Sequence, residues 1–346
     1  MKKYLLPNTG NYYKANLHCH TTLSDGKHTP EEIRSIYMDN GYSVVAYTDH
    51  EFLFDHSDLA LENFLPITSY EYGVKDESAP LGCEPVYHLN LYARDPHNTT
   101  LVMPCAKRLR FINRHYGRDE NLYMDGIEDI AENDQEYSQA FINRFIAAAK
   151  EQGFLVCLNH PAWSLQTYQD YKELSGLFAM EICNSACLVA GYPEDDNHVY
   201  ERMLRGGKRI SPVAADDNHR PLLPGHPESA CCVGFTMINA ESLTYDNIIH
   251  SLECGDFYAS TGPLFEEVSY EDGKIYVKCS PVRQIRLLNE GRDAPIATAE
   301  KGSLITEAVF DVDPTFVGKY VRVDLRDAEG NYADTRGYFH DEFMNA

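Results

Sequence analysis

Short apolar runs alternate with amphipathic segments through about the first 260 residues of the chain. The apolar runs YKANL, YSVVAY, FLPITS, FLVCL and ISPVAA are too short for helices and predict buried strands. Residues 30–41 and 135–153 instead carry apolar side chains at helical spacing and end in glycine. Thr29 and Pro30 suit the start of the first of these helices. Such alternation is typical of a mostly parallel sheet with helices outside it.

The pattern changes after residue 264. From there to residue 346, runs that alternate with period two are separated by turn sequences such as EDGK and AEGN, which predict hairpins and a small all-β sandwich. We therefore predict an α/β domain over residues 1–264 and an all-β domain over residues 265–346. The polar, irregular stretch from about 95 to 134 is interpreted as an insertion or lid.

Composition narrows the classes of function. Of 346 residues, 43% are hydrophobic, which is ample for a packed core, and no segment resembles a signal peptide or a membrane span. The ten cysteines lack CxxC spacing, which favours reduced thiols and a cytoplasmic location. The net charge of −23 argues against a nucleic-acid polymer or a membrane surface as the main partner.

Nine side chains of the kind that bind metals follow the predicted strands, one after another. They are His18, His20, Asp25, His50, Glu71, His88, His160, Asp217 and His219. Residues i and i+2 of a strand point to one side, so His18 and His20 present two ligands together, while Cys19 points away into the packing. Because ligands from many strand ends converge at one edge of a sheet, the sequence predicts a multinuclear metal centre. Imidazole and carboxylate without thiolate suit Zn, Mn or Fe and do not choose between them.

The order HxH, SDG, TDH, E, H, NHP, DxH resembles the polymerase-and-histidinol-phosphatase (PHP) superfamily of metal-dependent hydrolases, over roughly residues 11–260. The resemblance implies a distorted seven-stranded (β/α) barrel with two to three divalent metal ions at its rim. The ligand sets that it implies are His18, His20, Glu71 and Asp217 for one metal, Asp25, His50 and His219 for a second, and Glu71, His88 and His160 for a third. The FYASTGP junction and the β-rich end also resemble two-domain members, including the carbaryl-hydrolase-like metallohydrolases.

The same resemblance implies a phosphoesterase that hydrolyses a small phosphorylated metabolite or nucleotide. A hydroxide that bridges the metals would attack the phosphorus ester in line, with catalysis carried by Asp217, His219 and Glu71. Three divalent ions would leave the site positive despite its three carboxylates, which favours an anionic substrate. Candidates for a general acid are Asp216, His226 and Tyr47.

Other functions stay open at this point. The same metals suit hydrolysis of a carboxylic ester, or of an amide or carbamate, and only Lys27 and Arg220 lie near the motifs as cations for a phosphate monoester. A metal-stabilised binding protein without turnover would be expected to have lost ligands, whereas this set is complete. Residues interpreted as lining the pocket or packing beside it are Glu181, Asn184 and Trp163. The sequence also leaves open a homo-oligomer.

Overall fold

The structure of the protein is a computed structural model that describes residues 2–103, 127–129, 136–192, 196–312 and 318–344. The helices in these ranges are α1 (Pro30–Asp39), α2 (Gln139–Glu151), α3 (Tyr168–Tyr171), α4 (Ser185–Val189), α5 (Asp196–Arg205), α6 (Tyr245–Cys254) and α7 (His340–Phe343), with a 3-10 turn at Ser57–Leu59. The strands of the first part are β1 (Lys3–Tyr4), β2 (Asn11–Asn16), β3 (Val44–Tyr47), β4 (Leu65–Lys75), β5 (Val86–Ala93), β6 (Leu101–Met103), β7 (Ile127–Asp129), β8 (Phe154–Leu158), β9 (Ala179–Asn184), β10 (Ser211–Ala215), β11 (Phe235–Ala240) and β12 (Phe257–Ser260). They are followed by β13 (Phe265–Glu271), β14 (Lys274–Val282), β15 (Gln284–Asn289), β16 (Ile296–Thr298), β17 (Ile305–Asp311), β18 (Tyr320–Arg326), β19 (Tyr332–Asp334) and β20 (Tyr338–Phe339).

Helix α1 begins where the sequence predicts. The Thr29 side chain accepts a hydrogen bond from the backbone N–H of Glu32, and the Glu32 carboxylate accepts one from the backbone N–H of Thr29, so the two residues form a capping box ahead of Pro30. Just beyond the helix, Gly41 has a φ of 78°, a backbone conformation that favours glycine. The predicted helix over 135–153 is observed as α2, with Ser138 as its N-cap.

One large mixed sheet forms the centre of the molecule. Its strands lie in the order β10, β9, β8, β5, β4, β3, β2, β11 and β12, and the sheet continues into the C-terminal region through β19, β18, β15 and β16. The neighbours β2 and β3, β3 and β4, β8 and β9, and β9 and β10 are parallel. The predicted α/β class is therefore confirmed for this part of the chain.

Strand β5 is antiparallel to both of its neighbours, β4 and β8. Only residues 76–85 connect β4 to β5, and this connection is too short for a crossover helix, so the chain returns antiparallel. The beginning of β5 therefore lies at the edge where neighbouring parallel strands end. His88 reaches that edge from the start of a strand, and Glu71 from the middle of β4, so the expectation that every ligand follows a strand end is wrong for these two residues.

The seven strands from β10 to β2 form an arc whose two ends meet beside the predicted ligands. The backbone N–H of Asp217 donates to the carbonyl of His18 at 2.9 Å, and a parallel β-bridge joins Cys19 to Asn218. Further down, the side chain of Asn16 accepts a hydrogen bond from the backbone N–H of Asp216. The ladder of β2 continues instead into β11 and β12. The two ends thus touch through one bridge and a side chain, and no strand ladder between β2 and β10 occurs in the described residues.

The C-terminal region is all-β apart from the one-turn helix α7. A second sheet, of order β1, β13, β14 and β17, packs against β15, β18 and β19 through buried apolar side chains such as Val268, Val277, Ile285 and Val323. The EDGK turn joins β13 to β14, with φ of 50° at Asp272 and 77° at Gly273, as expected for a type I′ hairpin. The predicted all-β region is confirmed.

The stretch interpreted as an insertion, from about 95 to 134, lies mostly outside the described residues. Within its described parts, β6 and β7 pair in parallel. Of the helices that the structure describes, each is too short or too polar to traverse a bilayer.

Candidate metal centre

The loops that follow β2, β3, β8 and β10 carry seven of the nine predicted ligands to one edge of the sheet: His18, His20, Asp25, His50, His160, Asp217 and His219. These loops are tied to one another by backbone contacts, including the bridge between Cys19 and Asn218 and a parallel bridge between His50 and Glu71. Two of the ligand residues, His160 and Asp217, have positive φ angles of 26° and 52°. Residues with a Cβ rarely adopt such φ angles, and residues held in such a strained backbone conformation cluster at functional sites.

All nine predicted ligands lie in one connected cluster around the carboxylates of Glu71 and Asp217. Asp217 Oδ1 lies 3.2 Å from His18 Nε2, 3.1 Å from His20 Nε2 and 3.3 Å from His219 Nδ1. Asp25 Oδ1 lies 3.3 Å from His219 Nε2, and this contact adds Asp25 to the same group.

The Glu71 carboxylate faces two different sets of imidazoles. Its Oε2 lies 3.1 Å from His50 Nδ1 and about 3.5 Å from His18 Nε2 and His20 Nε2. Its Oε1 lies 3.2 Å from His88 Nδ1 and 3.5 Å from His160 Nε2. One carboxylate placed in this way can bridge two cations, as the sequence analysis expects of Glu71.

The donor set fits divalent metal ions. Three groups of side chains place their ligand atoms within 4.8 Å of one another: His20, Asp25, His50 and His219; His18, Glu71 and His160; and His18, His20 and Asp217. Glu71 Oε2 and Asp217 Oδ1 are buried and accept no hydrogen bond of good geometry. A buried carboxylate oxygen without a donor is costly unless a cation satisfies it, and imidazole with carboxylate is a donor set for Zn, Mn or Fe.

The groups defined by distance differ in part from those that the resemblance implies. The implied set of Asp25, His50 and His219 is found together, with His20 added to it. Glu71 and His160 group with His18, while His88 adjoins them through its contact with Glu71 Oε1.

The electrostatics of the cluster keep its carboxylates ionised. Burial by itself raises the pKa of the Glu71 carboxyl, but His88, His18 and His50 outweigh it and hold that pKa well below its usual value. The same balance, with His18 as the leading partner, lowers the pKa of Asp217. Both carboxyl groups are therefore charged at neutral pH, and this is the state that binds a cation.

The imidazoles respond differently according to their neighbours. Burial lowers the pKa of His20, but the close carboxylates of Asp217 and Glu71, 3.1 Å and 3.4 Å from its Nε2, raise it overall to about 10. For His50, burial and the nearby His20 together hold the pKa well below its usual value. The carboxylates thus favour the protonated form of His20, whereas burial and the positive charge of His20 favour the neutral form of His50.

A layer of polar side chains orients the cluster from behind. Glu181 Oε1 lies 2.6 Å from His18 Nδ1, which directs the Nε2 of that ring towards the centre, and Glu181 Oε2 accepts a hydrogen bond from the backbone N–H of His160. Asn184 Nδ2 donates to both Glu181 Oε2 and Asp217 Oδ2 at 3.1 Å. Asn159 Nδ2 donates to Glu71 Oε1 at 2.8 Å. Glu181 and Asn184 therefore contact the predicted ligands, as expected if they line the pocket.

The supporting role of Asn159 was not predicted from the sequence. Its only signal is its place in NHP, directly before His160. Asp49 forms a similar support on another side of the site, where its carboxylate accepts four hydrogen bonds from Thr21 and Ser24.

The candidate general acids are not brought into the cluster. The Tyr47 hydroxyl donates to the carbonyl of Pro30 within the apolar core that also holds Cys19. The Asp216 carboxylate accepts hydrogen bonds from Tyr37, from Ser185 and from three backbone N–H groups at 232–234. His226 lies on an exposed loop, where Nδ1 accepts from the backbone N–H of Glu228.

Among the described residues, the rim of the site carries a large aromatic side chain, Trp163. Trp163 is 38% exposed, and its ring centroid lies 5.2 Å from that of His160 and 5.7 Å from that of His88. Of the two cations that stand near the motifs in the sequence, Lys27 donates to the carbonyl of Asp25, and Arg220 lies 3.9 Å from Glu228.

No family model and no curated protein matches this chain. Solved structures that resemble it include a two-domain protein from Bacteroides vulgatus described as containing a predicted PHP-like metal-dependent phosphoesterase, which is 13% identical with a TM-score of 0.42 over 97% of this chain and 98% of its own. A candidate metal-dependent phosphoesterase from Bifidobacterium adolescentis is 18% identical with a TM-score of 0.39 over 72% of this chain and 97% of its own. An amidohydrolase from Chromobacterium violaceum is 14% identical with a TM-score of 0.42 over 70% of this chain and 96% of its own. Because these sequence identities and TM-scores are low, they do not support a function, and any function must follow from the geometry of the site itself.

Proposed function

We propose that the protein is a metal-dependent phosphoesterase of the PHP type that hydrolyses a small phosphorylated metabolite or nucleotide. The observation that carries this proposal is the pair of buried carboxylate oxygens without donors, Glu71 Oε2 and Asp217 Oδ1, surrounded by imidazole nitrogens. The order of the nine ligands along the chain supports the superfamily. The arc of seven strands from β10 to β2 is then the distorted barrel of that superfamily.

The roles of the residues follow from their positions. Glu71 would help to hold metal together with His18, His50, His88 and His160, and Asp217 would do so together with His18, His20 and His219. Two or three divalent ions held there would act as Lewis acids, activating water and neutralising charge on the attacked centre. Glu181 would fix the orientation of the His18 ring.

Substrate access is proposed to lie on the side of Trp163. This ring is partly exposed and contacts two ligand imidazoles, so it can exclude water from one face of a bound substrate and pack against its apolar part. Asp25 and His219 are also partly exposed, with about a third of each side chain accessible, and this makes their side of the cluster open to a small molecule.

A second candidate function is hydrolysis of a carboxylic ester, or of an amide or carbamate, at the same metals. The observation that favours it is that Lys27 donates to the carbonyl of Asp25 and Arg220 lies 3.9 Å from Glu228, so that neither of these two described cations is free to meet a phosphate dianion. The metals alone would then provide the positive charge of the site.

The test combines metal analysis with two model substrates. Purified protein should contain two to three equivalents of divalent metal and should cleave an aryl phosphate, and Asp217→Asn should lose both properties. His250→Gln, which changes an exposed histidine on α6, should retain both. Cleavage of an aryl carboxylate ester alone would select the second candidate. Metal-free protein that stays inactive after addition of Mn, Zn or Fe would contradict both.

A further inference from the structure

A second concave site lies between helix α5 and the strands β15 and β18 of the C-terminal region. Its volume is about 470 Å³, within the range of cavities that hold small ligands. None of the described residues that line it belongs to the metal cluster. It is therefore a site distinct from the metal centre.

Arginine dominates the lining of this cleft. The arginines are Arg205, Arg286, Arg292, Arg322 and Arg326. The carboxylates that meet them are Glu201 and Asp324 in the lining and Asp334 behind Arg322. Five positive groups thus face three negative ones, in a protein whose net charge is −23. A local excess of positive charge in an acidic protein attracts anions to this place.

One of the arginines has a structural role. Arg322 is only 4% exposed, and its guanidinium contacts Glu201 and Asp334 and donates to Asn197 Oδ1 at 2.9 Å. Every nitrogen of this guanidinium therefore has a partner within the protein. Arg322 joins α5 to β18 and β19. Because its charge is paired within the protein, the excess positive charge of the cleft comes from the other arginines.

Arg286 and Arg292 have guanidinium N–H donors that form no hydrogen bond with the described residues. Arg286 is held through Nε alone, which donates to the buried Asp324 carboxylate at 2.6 Å, and its two terminal nitrogens have no partner among the described residues. Arg292 forms no ion pair with any residue that the structure describes. Arg326 shares the Asp324 carboxylate and lies 4.5 Å from the ring centroid of Tyr332. Asp324 and Tyr332 thus preorganise two guanidinium groups, and a fork of free N–H donors is the usual partner of an oxyanion.

We propose that this arginine cleft binds a small polyanion whose phosphate or carboxylate groups accept hydrogen bonds from Arg286 and Arg292. The ligand would contact α5 of the α/β part and β15 of the C-terminal region together. Binding would therefore also stabilise the contact between the two parts of the chain.

The test is calorimetric titration of the metal-loaded full chain with inorganic tripolyphosphate and, separately, with citrate, at fixed salt. Saturable binding is expected, about tenfold weaker in Arg292→Gln and weaker again when Arg286→Gln is added, because each charge-assisted bond contributes about one such factor. Arg144→Gln, which removes an exposed arginine from α2, should bind as the wild type does. Tighter binding of tripolyphosphate identifies phosphate groups as the ligand chemistry, and tighter binding of citrate identifies carboxylates.

A variant of the metal centre separates this site from the hydrolytic one. Asp217→Asn should retain tripolyphosphate binding in the cleft, and Arg292→Gln should cleave an aryl phosphate at the wild-type rate. The proposal is overturned if binding is not saturable, if Arg144→Gln weakens it as much as Arg292→Gln does, or if Asp217→Asn abolishes it while Arg292→Gln leaves it intact. Loss of binding in Asp217→Asn alone would place tripolyphosphate at the metal centre, whereas cleavage of the aryl phosphate by the wild type tests the hydrolytic function separately.

Discussion

Glu181 shows how a residue that does not face the cluster centre can set its geometry. Its carboxylate contacts His18 Nδ1, the backbone N–H of His160 and the side chain of Asn184, so one acid holds three parts of the site. Partners of this kind fix the tautomer of a ligand imidazole and raise its basicity.

The first prediction concerns this contact. Glu181→Gln should weaken metal binding by about 10–100-fold, because His18 then loses a charged partner while the fold keeps a side chain of the same shape. Competition with a chromogenic chelator measures the affinity directly. Glu173→Gln, at an exposed position after α3, serves as the matched control and should bind metal normally. Equal affinities for Glu181→Gln and the wild type would show that Glu181 does not orient the site.

At the scale of residues, most of the clustered side chains were predictable because they stand in short motifs such as HxH or DxH, whereas Glu71 and His88 stand alone between the motifs. The supports were harder to predict. Asn159 stands next to a ligand, yet an amide beside a motif has the same sequence pattern whether it faces the site or solvent. Its contacts depend on which loops meet, and loop contacts leave no periodic signal in the sequence.

The position of His88 depends on the pairing of β4 with β5 and on a glycine in β4. Gly73 lies opposite His88 in the antiparallel pair of β4 and β5, and a Cβ at Gly73 would lie 3.0 Å from His88 Cδ2. Such a contact is tighter than a side chain normally tolerates, so the histidine ring occupies space that only glycine leaves free.

The second prediction follows from this contact. Gly73→Ala should displace the His88 ring and lower the metal content or the hydrolytic rate. It should not lower thermal stability, because alanine is the more favourable residue within a regular strand. Thermal melting, measured beside metal content, separates these effects. Normal metal content and activity in a folded Gly73→Ala protein would contradict the proposed place of His88 in the site.

At the scale of elements, the sequence predicted the helices whose ends are marked by capping residues. Thr29, Pro30 and Gly41 mark both ends of α1, and the structure has the helix between them. The direction of β5 was not predictable in this way, because an apolar run reads the same in both directions. It depends on the length of the connection at 76–85, which excludes a crossover.

The two parts of the chain share one sheet. Strand β12 pairs on one side with β11 and on the other with β19, so the ladder passes from the α/β part into the C-terminal region without a break. Strand β1, at the start of the chain, pairs with β13, and Leu6 packs in the C-terminal core. The alternating runs and turn sequences after residue 264 could predict an all-β region, but they could not predict that the sheet continues into it.

The third prediction tests this continuity. A chain truncated after residue 264 would expose the edge of β12 together with the apolar side chains of Leu6 and Tyr258, which the C-terminal region covers. Unpaired strand edges and exposed apolar surface promote aggregation, so the truncated chain should be insoluble or oligomeric. Size-exclusion chromatography of the soluble fraction measures this. A monomeric, cooperatively melting fragment would show that residues 1–264 fold independently.

The most direct test of the metal centre is anomalous diffraction from crystals of the full chain grown with Mn or Zn. Two or three peaks are expected among the imidazole and carboxylate groups, with one of the metals within about 2.0–2.2 Å of Glu71 Oε2 or Asp217 Oδ1. Absence of any peak in this cluster at saturating metal would contradict the account, because two buried carboxylate oxygens would then stay unsatisfied beside six imidazoles.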